Sequence, residues 1–262
     1  WPSYDIDQVN RGRRVKLGAE EALDKWVTRW PIQALRAASE IHWSNGVEKI
    51  LRAGLLAGNV DQDDLDGINQ ASLKIELSLL LGQMRARMNL LIEGVHRYQS
   101  SGSDNGRNST PDKERRWRML CKYTDAVMRS RHHEHAIEDM LKEEDDVTFF
   151  WLAQMRHHFE PGKKRGRGSG ATPTGKTSVR IFGVAVDHGG EMHGAASRST
   201  IVITPLTERC YRAILLSLSA AGAHGGSGVV LNGPPGMGKT DTMRMVAQTC
   251  GVACPLLNGA AG

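Results

Sequence analysis

Eight residues, Gly233-Pro234-Pro235-Gly236-Met237-Gly238-Lys239-Thr240, follow the spacing G-x-x-x-x-G-K-T. Each residue type in that run suits a grip on phosphate. Glycines let backbone N–H groups turn inward around a β-phosphate, and a helix starting at the loop's end adds its own donors and the positive end of its dipole. Lys239 is then within reach of the β- and γ-phosphates. The Thr240 hydroxyl suits the Mg²⁺ that accompanies a nucleoside triphosphate, so ATP and Mg²⁺ are the expected cofactors.

Such a loop has to lie between a buried strand and a helix N-terminus. Residues 229–231, Val-Val-Leu, read as the strand, and residues 241–248 read as the helix. Met243, Val246, Ala247 and Cys250 fall at i, i+3, i+4 and i+7, which predicts one buried face. A second match, Gly170-Ala171-Thr172-Pro173-Thr174-Gly175-Lys176-Thr177, lacks this context. The Gly-rich basic run 161–169 precedes it, and the β-branched stretch 178–186 that follows reads as a strand. With loop before strand, it is a chance match.

Upstream, the pattern is helical. Residues 19–57 carry Trp26, Trp30, Ile32, Leu35, Ile41 and Trp43 on an apolar face, with Pro31 marking a start or break. Residues 68–98 carry the stripe Leu80, Met84, Met88, Leu91 and Val95. A polar connector, 99–111, leads to a third helical stretch over 112–144, and a shorter one is expected over 149–159. Beyond the basic loop, 179–186 and 200–203 read as strands, 206–220 as a helix, and 254–258 as a second strand of a nucleotide domain. The predicted fold class is mixed: an α-helical region followed by the N-terminal part of an α/β phosphate-loop domain. That α/β part is expected to be incomplete. No acidic strand to hold Mg²⁺ and no water-orienting carboxylate can be assigned, and the chain by itself is expected to show no ATP turnover.

The bulk numbers narrow the class. A chain of 262 residues with 40% hydrophobic and 24% charged residues is ordinary for a globular protein of one or two domains. No apolar stretch is long enough to span a bilayer, so no membrane partner is expected. The first residue is Trp1, which suggests that the natural beginning lies upstream. The four cysteines lack zinc-type pairing and are too few for a disulfide framework, which favours a reducing setting. Much of the +5 net charge sits in Lys163, Lys164, Arg165 and Arg167. No aromatics are interleaved there to stack bases, so the loop reads as a solvated insertion rather than a nucleic-acid site.

His132, His133 and His135 with Glu138 and Asp139 offer two candidate ligands per helical face, short of a metal site, and read as surface or interhelical groups. His157 and His158 are expected at a helix C-terminus, facing its negative dipole end. Residues 143–146, all acidic, read as a solvated turn.

The segment Ile201-Val202-Ile203-Thr204-Pro205-Leu206-Thr207-Glu208-Arg209-Cys210-Tyr211-Arg212 closely resembles the opening of the first AAA+ module of dynein heavy chains. There a "(I/V)TPLTDRCY" segment precedes a loop reading GPAGTGKTET by a similar interval. Trp30-Pro31-Ile32-Gln33 with Ser39-Glu40-Ile41-His42-Trp43 resembles the family's "WP-x-Q…SQIYW", and residues 150–159 resemble "F-x-WL-x-QLRYYW". Both belong to the C-terminal part of the family's linker, its mechanical lever. The resemblance covers nearly the whole chain in the expected order. Met237 and Pro235 depart from the usual loop, and 183–196 departs from the usual strand and turn.

The resemblance implies a linker part over 1–198 and the start of the first AAA+ module over 199–262. It implies that Val202, Ile203, Thr204, Pro205 and Leu206 line an adenine pocket. Gly233, Pro234, Pro235, Gly236, Met237, Gly238, Lys239, Thr240 and Asp241 complete the nucleotide set, with Thr240 on the metal. It further implies an ATP-driven, minus-end-directed microtubule motor in the cytoplasm and cytoskeleton, with an axonemal setting favoured. Its partners would be the rest of the ring, microtubules, and intermediate and light chains. The alternatives are another AAA+ or phosphate-loop ATPase, and a non-enzymatic helical scaffold with a degenerate site.

Overall fold

The computed structural model describes residues 13–56, 65–100, 110–143, 147–162, 175–193, 202–224, 227–257 and 259. The basic cluster at 163–167 and the first five residues of the second motif, 170–174, lie outside them. The chain divides into two compact units, 1–148 and 149–262.

In the first unit, α1 (Arg13–Arg29) and α2 (Ile32–Leu56) are separated at Trp30-Pro31. Proline fixes its own φ and restricts the residue before it, so the break falls where Pro31 predicts. The Lys122 ammonium donates to the Val27 and Trp30 carbonyls at 2.9 and 2.7 Å, satisfying acceptors that the end of α1 leaves open. Next come α3 (Leu65–Ser100) and α4 (Thr110–Lys142). Arg85 of α3 bonds Glu134 of α4, while Tyr98 stacks on Tyr123, so the two helices run antiparallel. Leu77, Leu81, Met84, Met88 and Leu91 of α3 are buried, stepping four, three, four, three. That spacing keeps one seam facing a neighbouring helix. Gly94 lies so close to the Tyr123 ring that a Cβ there would collide with it.

α2 lies beside α4 through a buried polar ladder. The Arg36 guanidinium forks onto Asp125 at 2.7 to 3.0 Å, Arg129 donates to Glu40 at 2.6 Å, and His133 stacks on Trp43 with ring centroids 4.2 Å apart. Partner numbers rise together along both helices, so they run parallel. The interhelical role expected for this histidine cluster is the one His133 takes, its Nε2 3.1 Å from Glu40.

The second unit contains α5 from Phe149 to its end, a sheet and two further helices. α5 spans Val147–Ala153 and gives way to β1 (Arg156–Glu160), where the sequence had predicted one helix over 149–159. His157 and His158 therefore sit on a strand, not at a helix terminus. The strand wins because Arg156 and His157 are buried by partners distant in sequence: Arg156 donates to the Phe182 carbonyl and stands over the Trp151 ring. β2 (Lys176–Ile181) and β3 (Val184–Asp187) complete an antiparallel sheet in the order β1-β2-β3. The expected single strand over 179–186 is thus a hairpin, turned at Phe182-Gly183. Phe182 has φ 49°, in the left-handed region, and is fixed there by a 2.7 Å bond from its N–H to the Leu152 carbonyl.

α6 (Pro205–His224) and α7 (Lys239–Cys250) follow. Val179 and Ile181 of β2 pack with Tyr211, Ile214 and Leu215 of α6 and with Met245, Val246 and Cys250 of α7. The strands expected over 200–203, 229–231 and 254–258 do not form among the described residues. Residues 202–203, 229–231 and 254–257 join no ladder, while 200–201 and 258 lie outside the description. Val230 is 91% exposed. Val229 and Leu231, on the other face, do pack against the core. The fold is mostly helical with a small antiparallel sheet.

Candidate phosphate-binding site

The loop 233–238 opens directly onto α7. Gly236 and Gly238 have φ of 79° and 77°, a region that costs an L-residue roughly 1–2 kcal/mol. No atom lies within 4 Å of where a Cβ would stand at either glycine, so the demand is on the backbone alone.

Gly238 is the N-cap of α7 and supplies no side-chain acceptor to the helix's first N–H groups. Its carbonyl accepts from the Thr242 N–H at 2.8 Å and the Thr242 hydroxyl at 2.9 Å, which starts the helix. An uncapped helix N-terminus is a site of positive potential with donors aimed outward. The Lys239 Nζ folds back over the loop and donates to the Gly233 and Pro234 carbonyls, both at 2.7 Å. One cation thereby bridges the loop's two ends and keeps a third N–H for another acceptor. Thr240 is exposed on the first turn. Asp241 beside it pairs with Arg244 at 3.6 Å, both side chains largely exposed. Open glycines, uncapped N–H groups, a cation across the loop and a hydroxyl on the first turn fit a nucleotide's phosphates with their Mg²⁺.

The buried face of α7 is turned slightly from the expected one. Met245, Val246, Ala247 and Cys250 are buried with Thr242 and Gln248, whereas Met243 is 38% exposed. Burial also pushes the Cys250 thiol up to about 12. Cys254 is only partly covered.

The residues expected around adenine form a helix start. Thr204 and Thr207 cap α6 reciprocally: the Thr204 N–H donates to Thr207 Oγ1 at 2.7 Å, and the Thr207 N–H donates to Thr204 Oγ1 at 3.3 Å. Pro205, at the first helical position, loses nothing by lacking an N–H. Ile203 packs against the core shared with Val229 and Leu231, while Val202 and Leu206 are 59% and 57% exposed.

Sequence reasoning missed the far end of α7. Gly251 follows the helix with φ 60°, and its N–H and that of Val252 return to Gln248 and Ala247 at 3.2 and 2.9 Å. The remaining carbonyls of that turn are taken by the sheet side. His157 Nε2 lies 3.3 Å from the Thr249 carbonyl, and the Gly189 N–H donates to Cys250 at 2.9 Å. The Glu191 N–H donates to Gly251 at 2.8 Å, and His193 Nε2 lies 2.8 Å from the Val252 carbonyl. The Gly189-Gly190 and Gly251 positions could have signalled a close backbone approach; the two histidines carried no such signal.

Residues 191–262 match the family model described as "Hydrolytic ATP binding site of dynein motor region". Across 91% of its length the chain is 26% identical to Dynein axonemal heavy chain 12 of Homo sapiens and 27% identical to that of Mus musculus. It is 24% identical over 94% of its length to the cytoplasmic dynein heavy chain of Dictyostelium discoideum. The resemblance to dynein heavy chains read from the sequence is borne out along nearly the whole chain. The chain spans only 6% of the length of the first two relatives and 4% of the third.

Among the described residues, no helix is long and apolar enough to cross a membrane, and no group of three acidic, histidine or cysteine side chains could hold a metal ion.

Proposed function

We propose that this chain is a segment of a dynein heavy chain whose loop at 233–241 binds Mg·ATP for a minus-end-directed microtubule motor. The observation that carries this reading is the loop itself: two left-handed glycines lead into an uncapped helix start, with Lys239 bridging the loop. Lys239 neutralises the β- and γ-phosphates, the first N–H groups of α7 donate to phosphate oxygens, and Thr240 Oγ1 ligates Mg²⁺. Val202, Ile203, Thr204, Pro205 and Leu206 lie along the adenine side.

Residues 1–198 form the C-terminal part of the linker lever and 199–262 the start of the first AAA+ module, with the site coupled to the lever. The remaining ring modules, microtubules, and intermediate and light chains are the partners in this reading, and the setting is cytoskeletal and axonemal.

The test is binding of a fluorescent ATP analogue with Mg²⁺ to the chain and to Lys239→Ala. Charge-assisted hydrogen bonds contribute about 1.5–3 kcal/mol each, so the variant is expected to bind at least tenfold more weakly. Equal binding by both would overturn the assignment of the loop.

A further inference from the structure

The two ends of α7 are finished in opposite ways. The N-terminal end faces the loop without a side-chain cap. At the C-terminal end all four of the last carbonyls are occupied: Ala247 and Gln248 by the chain's own reversal, Cys250 by Gly189, and Thr249 by His157. His193 and Glu191 extend the same attachment past the helix, to Val252 and Gly251. A carbonyl only accepts, so both imidazoles carry hydrogen on Nε2 and donate.

Geometry leaves this attachment little slack. His157 is 1% exposed and pairs in register with Val179, which places it on the core-facing side of the sheet. A Cβ on Gly189 would stand 2.6 Å from the Gly251 carbonyl oxygen, and one on Gly251 would collide with the His188 ring. The strap at 188–193 starts from β3, so sheet, strap and last turn of α7 are joined by hydrogen bonds at successive positions. A helix of 12 residues is about 18 Å long and behaves as a rod on that scale. Fixing its C-terminal end therefore fixes the orientation in which its N-terminal donors meet the loop.

We propose that His157 and His193 are positioning residues for the phosphate site: by holding the last turn of α7 onto the sheet they set the affinity of the loop at the other end of that helix, about 18 Å away. This rests on the reading that the loop binds nucleotide. The contact is short-range and directional, so truncating the donor should weaken the site even though neither ring is near a phosphate.

The experiment measures Mg·ATP affinity of the chain alongside His193→Ala, His193→Gln and His157→Ala, and follows amide hydrogen exchange at Gly189 and Glu191 with and without Mg·ATP. His193→Ala is expected to lower affinity two- to tenfold. His193→Gln, whose side-chain amide can donate to the same carbonyl, should return it to within twofold. Mg·ATP should slow exchange at Gly189 and Glu191 in the unmodified chain and not in His193→Ala. Should His157→Ala fail to fold, the strap residue His193 still decides the matter. Unchanged affinity together with an unchanged exchange response in His193→Ala overturns this proposal alone. Failure of the unmodified chain to bind Mg·ATP overturns the nucleotide reading and this proposal with it.

Discussion

Replacing Asp125 by alanine should destabilise the helical unit more than any surface change. Its carboxylate accepts from Arg36 Nε at 3.0 and 2.9 Å and from the terminal nitrogen at 2.7 Å, and Arg129 Nε stands 3.5 Å away. The Arg36 and Asp125 side chains are 9% and 3% exposed. A guanidinium does not give up its proton in proteins, so removing Asp125 strands a buried charge without this counter-ion. Breaking such a pair from one side costs about 3–5 kcal/mol. With a urea slope of about 2 kcal/mol per molar, the midpoint should fall by about 2 M. Lys142 and Asp139 provide the internal standard: their side chains are 72% and 51% exposed, so water screens the pair and losing it should change stability little. The assay is urea unfolding followed by far-UV circular dichroism for Asp125→Ala, Asp139→Ala and the double change Arg36→Met with Asp125→Leu. The double variant should regain most of the loss, since an apolar pair of similar volume avoids the desolvation of both ions. If Asp125→Ala costs no more than Asp139→Ala, the account of this ladder is wrong.

Burial, then the neighbouring His133, pushes the His132 imidazole down to about 4 from its ordinary 6.5. Between those values the unfolded chain binds a proton that the folded chain refuses. The contribution of His132 to stability should therefore be full above pH 6.5 and fall by about 1.4 kcal/mol per unit as pH drops toward 4, and His132→Gln should lessen the slope of pH-dependent melting by that amount. Cys250, wholly buried and held as the neutral thiol, should be the last cysteine alkylated by N-ethylmaleimide at pH 8, after the partly exposed Cys121, Cys210 and Cys254. Peptide mass spectrometry showing equal rates would contradict its placement. Gly238→Ala should weaken Mg·ATP binding about five- to thirtyfold through backbone strain alone, at roughly 1–2 kcal/mol, because space for the methyl is open. Gly183→Ala, equally open and without a positive φ, is the control expected to bind as the unmodified chain does.

The glycine-rich loop at 233–238 and the helix start after it were legible because their residues act locally. Glycine spacing, a lysine and a helix start require only neighbours in sequence, and the loop's geometry follows from them. The long helices were legible through their apolar period, and Pro31 marked the break between α1 and α2. Other features depend on distant partners. β1 was hidden because Phe149, Phe150, Trp151 and Leu152 continue into a polar run, Arg156-His157-His158, that a local reading places on a helix end. Its burial depends on Phe182 and Thr249, 26 and 92 residues away. The ion ladder was hidden for the same reason: Arg36 and Glu40 look like surface charges until Asp125 and Arg129 are placed opposite them. β-branched content alone does not make a strand: Val229-Val230-Leu231 has it without a ladder partner among the described residues.

The order of charges along the ladder also guards against misalignment. Along α2 the sequence is Arg36 then Glu40; along α4 it is Asp125, Arg129, His133, each four residues after the last. A slide of one helical turn, about 5.4 Å, brings the same face of α4 back against α2. The charges are not interchangeable. Sliding α4 one way sets Arg36 against Arg129; sliding it the other sets Glu40 against Asp125. Either slip buries like charges face to face. The ladder thus works as a ratchet tooth between two parallel rods, admitting one alignment, so that a pull along one helix is passed to the other instead of being lost as slippage.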